Sequence, residues 1–304
     1  MNNNDIAAIV VSYFPEDEVT IMLLKSLSTQ VDLLIFVDNG GGENVLNVIC
    51  KANITVKYIK FEKNMGLGHA LNKGFELAAK QDVKYVATFD QDSAPPANLI
   101  IHLRQCHEEL QRLNIDCAAV GPVFFDRRET VKKYFPFYFE KNSRVETASQ
   151  NNYPEKYVET SMLITSGMLV RADIWNSGIH YNEDYFVDFT DTEWCFRARS
   201  KGHKTYGCFK AEMGHALSDA PPARIFNMSF FRYSPLRRFY FFRNTVIFCS
   251  EPYVSWAWRR RLVSGMCLRF VINLFIDKKK LLSLKMMLRG IFNGLRGSSG
   301  KFIQ

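Results

Sequence analysis

The nine residues Tyr85-Val-Ala-Thr-Phe-Asp-Gln-Asp-Ser93 constrain this chain more than any other stretch. A run of apolar, β-branched and aromatic residues stops at two carboxylates that flank one residue. That pattern reads as a buried parallel strand carrying an Asp90-x-Asp92 pair at its carboxyl end. Open α/β sheets bind their ligands in the crevice at that end of the strands. Two carboxylates so spaced also suit a hard divalent cation that draws its other ligands from water and a diphosphate. Taken alone, the pair serves a solvated turn just as well.

The flanking segments supply the company the motif needs. Ile6–Tyr13 is a short apolar run with a polar end, and Pro15 opens an amphipathic helix with Ile21, Leu24 and Leu27 on one face. Leu33–Val37 is a second strand ending at Asp38-Asn39-Gly40, and Ile54–Ile59 is a third. Asn64-Met-Gly66-Leu-Gly68 turns into a helix through Ala79. After the organising strand, Pro95-Pro96 opens a helix to about Leu113, and Cys117–Val120 is a further strand. This β-α-β-β-α-β-α-β order predicts an α/β, doubly wound, mostly parallel sheet. With 304 residues, 47% of them hydrophobic, the chain can also build a second region.

Three strand ends finish in polar groups: Ser12-Tyr13, Asp38-Asn39 and Asp90-Gln91-Asp92. In a parallel sheet these ends converge, and a nucleotide suits the pocket they would line. Tyr13 offers an aromatic surface, Asp38 an acceptor for a base N–H, and Asp90 an acceptor for ribose or a ligand for the cation. Gly66-x-Gly68 lacks the third glycine of a dinucleotide fingerprint, since Leu71 stands there, and it follows the third strand. Its glycines serve a close backbone approach at the pocket or a tight turn.

Residues 124–157 read as a long excursion of strands or a mobile loop over the site, and Thr160–Val170 as a strand containing Ser166-Gly167. Gly167 marks either a close ligand approach or a bulge. A second acidic cluster runs from Asp188 to Glu193. Thr190 is a candidate helix cap, Glu193 fits the first helical turn, and Asp191 can face a neighbouring crevice while Trp194 and Phe196 anchor the helix. Thr205–Phe209 is another strand. His215 follows it, near Ser218-Asp219, as a structural histidine or a metal ligand.

Charge divides the chain. Residues 221–304 carry +14, whereas residues 1–220 carry −6. The basic region interleaves arginine and lysine with aromatics, and within it Leu281, Leu284, Leu288, Ile291 and Leu295 recur at helical spacing. No apolar run is long enough to span a bilayer. The pattern fits an interfacial helix on an anionic leaflet, a core-packed helical subdomain with a solvated basic face, or, with no accompanying motif, nucleic acid. Seven scattered cysteines, never as Cys-x-x-Cys, suit a reducing compartment, and the first residues lack the features of a signal peptide.

Val11-Ser12-Tyr13, Val37-Asp38-Asn39, Asn64-x-Gly66, Phe89-Asp90-Gln-Asp92 and Asp191-Thr-Glu193-Trp194, in this order, resemble the inverting family-two glycosyltransferases of GT-A fold. Asp90-Gln-Asp92-Ser93, Asp191–Arg197 and Ser234-Pro-Leu-Arg-Arg-Phe-Tyr-Phe-Phe-Arg-Asn244 are similar to bacterial rhamnosyltransferases of surface-polysaccharide (O-antigen) assembly. The resemblance covers about residues 5–250. It implies a catalytic domain over residues 1–220 and a basic, aromatic-rich helical region over 221–304 that associates with the membrane. The donor it implies is a nucleotide sugar, dTDP-L-rhamnose, and the cofactor Mg2+ or Mn2+. Ser12, Tyr13, Asp38, Asn64, Gly66 and Gly68 would surround the nucleotide, with Asp90 at the ribose and Gln91 beside it. Asp92, His215 and Asp90 would serve the metal, and Asp191 would be the general base, with Asp188 near enough to compete. Ser166, Gly167, Glu193 and Trp194 would fall on the side of a glycan or lipid-linked acceptor. The setting it implies is cytoplasmic, peripheral on the inner face of the cytoplasmic membrane, with no nucleic acid partner. Transfer of another sugar by the same site, or a non-catalytic nucleotide- or glycan-binding subunit of a membrane assembly complex, are the alternatives. Two positions depart from the family: Leu71 where many members carry a basic residue, and Thr190-Asp191 where many carry two acids.

Overall fold

Every residue of Ile6–Ser12 (β1) is buried, and its apolar side chains alternate between two cores. Only a strand inside a sheet covered on both faces permits that. A computed structural model of the protein describes residues 5–42, 44–126, 128, 132–153, 155–215, 220–225, 228–277 and 279–302, with the backbone alone for 220–225 and 228–232. The other strands are β2 (Leu33–Asp38), β3 (Lys57–Lys60), β4 (Tyr85–Asp90), β5 (Cys117–Asp126), β6 (Phe137–Lys141), β7 (Arg144–Ala148), β8 (Tyr157–Glu159), β9 (Met168–Arg171), β10 (Lys204–His215), β11 (Ala220–Ile225) and β12 (Met228–Arg232). The helices are α1 (Asp17–Ser28), α2 (Val45–Ala52), α3 (Leu67–Ala79), α4 (Leu99–Arg112), α5 (Ala172–Asn176), α6 (Thr190–Ser200), α7 (Pro235–Ser250), α8 (Trp256–Ile276) and α9 (Lys280–Leu295).

Eight strands form one sheet in the order β3-β2-β1-β4-β9-β5-β10-β8. β9 is antiparallel to both β4 and β5, and β8 is antiparallel to β10; the other pairs are parallel. Ala7, Ile9 and Val11 face a core shared with α3, α5 and α6. Ile6, Ala8 and Val10 face one shared with α1, α2 and α4. Register sets the strand ends side by side, with Ser12 opposite Asp38 and Val11 opposite Asp90.

Several local expectations change. Helix α2 was absent from the sequence reading, although Val45, Val48 and Ala52 bury one face of its two turns. The strand expected over Thr160–Val170 is confined to Met168–Arg171. Before it, the Thr160 and Thr165 side chains make hydrogen bonds and Gly167 turns the chain at φ +75°. The excursion after β5 holds the β6–β7 hairpin. Thr190 does not cap α6. Phe189 occupies the cap in left-handed conformation, and the Thr190 hydroxyl is buried in the first turn with no hydrogen-bond partner.

The C-terminal helices reverse the orientation that the leucine spacing suggests for a packed helix. The buried face of α9 is Ser283, Met286, Met287, Gly290 and Gly294. A Cβ on Gly290 would lie 2.6 Å from the Phe239 carbonyl oxygen of α7, and one on Gly294 2.8 Å from that of Arg243. Backbones therefore meet directly, as small residues four apart permit. Leu281 and Leu295 consequently point outward, 84% and 74% exposed. Among the described residues no helix is long and apolar enough to cross a membrane.

Gly290→Ala tests this contact. Helix propensity alone favours alanine by about 1 kcal/mol, yet overpacking against the α7 backbone should make the variant about 1–3 kcal/mol less stable. Equilibrium denaturation showing a gain would remove the close-packing account.

Candidate active site

The end of β4 is built around two backbone contacts. A hydrogen bond from the Ser93 N–H to the Asp90 carbonyl (3.1 Å) closes the turn that carries Asp92. Ala94 then pairs with Gly214, which lays this turn against the last residues of β10. Asp90, Asp92 and His215 thereby each bring one potential ligand atom to within 4.8 Å of the others. His215 is buried and its Nδ1 has no hydrogen-bond partner, a costly arrangement unless something binds there. Burial raises the Asp90 carboxyl above its ordinary value and Asp92 adds to that, while His215, the Ser166 hydroxyl and Arg237 act the other way. Two carboxylates and an orphaned imidazole fit a divalent cation of the Mg2+ or Mn2+ kind. Ser218 and Asp219, noted beside His215 in the sequence, lie outside the described residues.

Asp191 stands in the first turn of α6, half-buried. Its Oδ2 accepts from the Thr165 N–H (2.9 Å) and hydroxyl (3.3 Å), and its Oδ1 from the Thr192 N–H (2.7 Å). The neighbouring Ser166 hydroxyl donates to Asp90 Oδ2 at 2.6 Å. Two consecutive residues thus tie the α6 carboxylate to the β4 carboxylate on the same side of the sheet. Burial raises the Asp191 carboxyl, and the charge on Asp90 raises it further, against the hydrogen bonds from Thr165 and Thr192. A carboxyl so placed is a stronger proton acceptor than a solvated one. Asp188, a competitor in the sequence, is instead paired through Oδ1 with Arg237 Nη2 at 3.2 Å.

On the other flank, the Gln91 side chain fastens β4 to the end of β1. Its Oε1 accepts from the Ser12 hydroxyl (3.0 Å) and the Tyr13 N–H (2.7 Å), and its Nε2 donates to the Tyr13 carbonyl (3.0 Å). Tyr13 itself remains exposed. Asn39 donates to the Asn64 side chain and the Gly66 carbonyl, both at 3.2 Å, and accepts from the Met65 N–H. Asp38 differs from the expectation that it reads a base. It is fully buried, accepting from the Gly41 N–H (2.6 Å) and the Tyr58 hydroxyl (2.9 Å), so it shapes the rim from beneath.

Gly66 and Gly68 do make a close approach, to the protein's own chain. Cβ atoms there would meet the Phe186 backbone (3.0 Å) and the Asn182 carbonyl (2.9 Å). Leu71 is buried in the core. Two acceptor-side assignments, Trp194 and Glu193, require correction because their side chains have no free surface. Trp194 is wholly buried and donates to the Ile179 carbonyl. Glu193 is wholly buried between Arg197 (2.6 Å) and the Tyr253 hydroxyl (2.7 Å). Gly167 turns its Cβ position toward Pro122 and Met213. Ser166 is near the site but buried, between Ser93 and Asp90. Thr165 and Arg237 were missed; Arg237 lay inside the quoted Ser234–Asn244 motif without a role, and nothing local marks Thr165.

Residues 8–175, more than half the chain, match the family described as Glycosyl transferase family 2. The chain belongs to this family. A dTDP-rhamnosyl transferase, RfbF, of Shigella flexneri is 25% identical to this family 2 glycosyltransferase over 298 residues, 98% of each chain. Among solved structures, S. aureus TarS is similar at a TM-score of 0.58 and 14% identity over 96% of the present chain, which spans about half (49%) of TarS. TarS 1–349 in complex with UDP-GlcNAc gives 0.56 at 16% identity, covering 97% of this chain and 81% of that one. GalNAc-T7 with UDP, GalNAc and Mn2+ gives 0.54 at 10% identity, covering 86% and 54%. These likenesses establish a GT-A fold for the family 2 glycosyltransferase.

Loss of a group that only supports a metal ligand already costs about 10–100-fold in affinity. Asp92→Asn and His215→Ala should each weaken Mn2+ binding by at least that much, measured by titration of free Mn2+ with dTDP present. Unchanged affinity in both would dismiss the trio as ligands.

Proposed function

We propose that the protein is a metal-dependent, inverting glycosyltransferase that moves L-rhamnose from dTDP-L-rhamnose to a lipid-linked glycan acceptor in bacterial surface-polysaccharide assembly. The observation that carries the catalytic part is the Thr165-Ser166 bridge. It keeps the Asp191 carboxylate close to, but distinct from, the Asp90–Asp92–His215 trio. A single displacement at an anomeric carbon needs charge stabilisation at the leaving diphosphate and a separate proton acceptor on the opposite side.

Asp90, Asp92 and His215 would hold a divalent cation, which when bound supplies positive charge to the departing diphosphate. Arg237, whose charge is felt at Asp90, adds a cation on the same side. Tyr13, Asn64 and the Gly66 turn form the rim for the nucleotide, fastened by Gln91 and Asn39. Asp191 takes the proton of the attacking hydroxyl, a contribution of about 10²–10⁴-fold for a positioned base. The rhamnose assignment rests on the likeness to RfbF along nearly the whole chain.

Membrane contact is supported by the outward faces of α8 and α9. Trp256, Val271, Phe275, Leu281, Leu288 and Leu295 are exposed in a region of charge +14. Exposed apolar surface in a region of positive charge suits an anionic leaflet, where a lipid-linked acceptor resides.

Four measurements follow. Asp191→Asn should abolish transfer and leave donor affinity within about 3-fold, judged against the base contribution above; near-normal turnover eliminates Asp191 as the base. Because burial raises its carboxyl, activity should be lost as pH falls through a value above the ordinary carboxylate range. Thr165→Val, which deletes a hydroxyl favouring the charged form, should move that acid limb of kcat to higher pH. A limb that stays put or moves down would contradict the hydrogen-bond account. In a donor panel scored by metal-dependent thermal shift, dTDP-L-rhamnose should give the largest rise. A larger rise with another nucleotide sugar reassigns the donor, and failure to bind anionic liposomes removes the membrane contact.

A further inference from the structure

The segment 184–189, which leads into the helix of Asp191, is held in a conformation its residues do not favour. Phe186, Asp188 and Phe189 have φ of 64°, 56° and 66°. Positive φ is uncommon outside glycine, and for a bulky residue it persists only where the surroundings dictate it. The source of that constraint lies in α7. Asn244 is fully buried, and its side-chain amide donates to the carbonyls of Tyr185 (2.9 Å), Val187 (2.6 Å) and Asp188 (3.0 Å). Its Oδ1 accepts from Arg243 Nε at 2.9 Å, which fixes which way the amide points. Arg243 itself donates to the carbonyls of Asp184 (3.3 Å) and Tyr185 (3.0 Å). The remaining carbonyl, that of Phe186, accepts from the Leu67 N–H at 2.7 Å, at the start of the Gly66 turn. Every backbone carbonyl from 184 to 188 is therefore occupied, and four of the five by two adjacent side chains.

Polar groups this deeply buried are costly to leave without partners, so this arrangement is specified rather than incidental. Its last contact, at Asp188, is three residues before Asp191, with only the left-handed Phe189 cap and Thr190 between. We infer that Asn244, oriented by Arg243, is a positioning residue for the base: by fixing the 185–188 carbonyls it sets where α6 begins and hence where the Asp191 carboxylate lies. This rests on the reading of Asp191 as the base. It gives the Arg243-Asn244 pair a role in the transfer step although neither touches substrate.

The test compares Asn244→Ala with Asn244→Gln, which keeps an amide but displaces it by one methylene, and with Asp191→Asn, in the full-length protein. Thermal melting establishes that each is folded, and dTDP binding with Mn2+ reports the donor site. In a folded Asn244→Ala or Asn244→Gln protein, kcat for transfer should fall about 10–100-fold, the scale of a misplacement near 1 Å. Donor affinity, which involves no proton transfer to Asp191, should change less than about 3-fold by the same reasoning. If Asn244→Ala does not fold, Asn244→Gln decides the matter. Normal kcat in whichever folds, or parallel loss of donor binding and transfer, overturns the positioning role. An inactive Asp191→Asn beside a fully active Asn244 variant leaves the base intact and removes the clamp. An active Asp191→Asn removes the base whatever Asn244 does.

Discussion

Crowded negative charge at one end of the sheet is the constraint around which this molecule is arranged. Asp90 and Asp92 lie against His215, Asp191 is tied to Asp90 through Thr165-Ser166, and two of the three acids have carboxyls raised by burial. Such groups repel one another and resist ionisation in low dielectric. The fold answers with directed donors: the Ser166 hydroxyl on Asp90, the Thr165 N–H on Asp191, and Arg237 across Asp188. These leave the His215 nitrogen and the carboxylate edges facing one gap. Burial and mutual repulsion thus hold the Asp90 and Asp191 carboxyls above their ordinary values, the arrangement on which the proposed cation and base roles rest.

Positioning of those groups comes from ordinary sheet geometry. Parallel register places the ends of β1, β2 and β4 side by side, and the β5–β10 pair brings His215 around from the other half. Side-chain amides then do what backbone cannot at a strand end. Gln91 joins β4 to β1, Asn39 joins β2 to the Gly66 turn, and Asn244 joins α7 to the segment before α6. An amide both donates and accepts, so it can satisfy two chain segments at once without adding charge to a site already rich in it.

The sheet and the principal acids were legible in the sequence because both follow from adjacent residues. An apolar run ending in Asp90-Gln-Asp92 encodes its own burial and its own exposed end. The ordered motifs pointed to the family that residues 8–175 match. What was not legible depends on contacts far apart in the chain. Nothing near Trp194 or Glu193 says that Ile179 and Tyr253 occupy their polar groups. Asp38 looks like a pocket acid until Tyr58 and Gly41 are seen against it. Thr165 gains its role only through a helix 26 residues later. For α9, leucine spacing identified a stripe correctly but could not say which way it faces, because the decisive residues were two glycines whose contribution is an absence of side chain.

That glycine contact has a mechanical corollary. The rotation of α9 about its own axis is set by steric exclusion: any other face presented to α7 would drive side chains into its carbonyls. The oily ridge on the far side is therefore preformed. It keeps its aim in the free protein and needs no refolding before it meets whatever covers it, so the entropy of ordering that surface is already spent during folding.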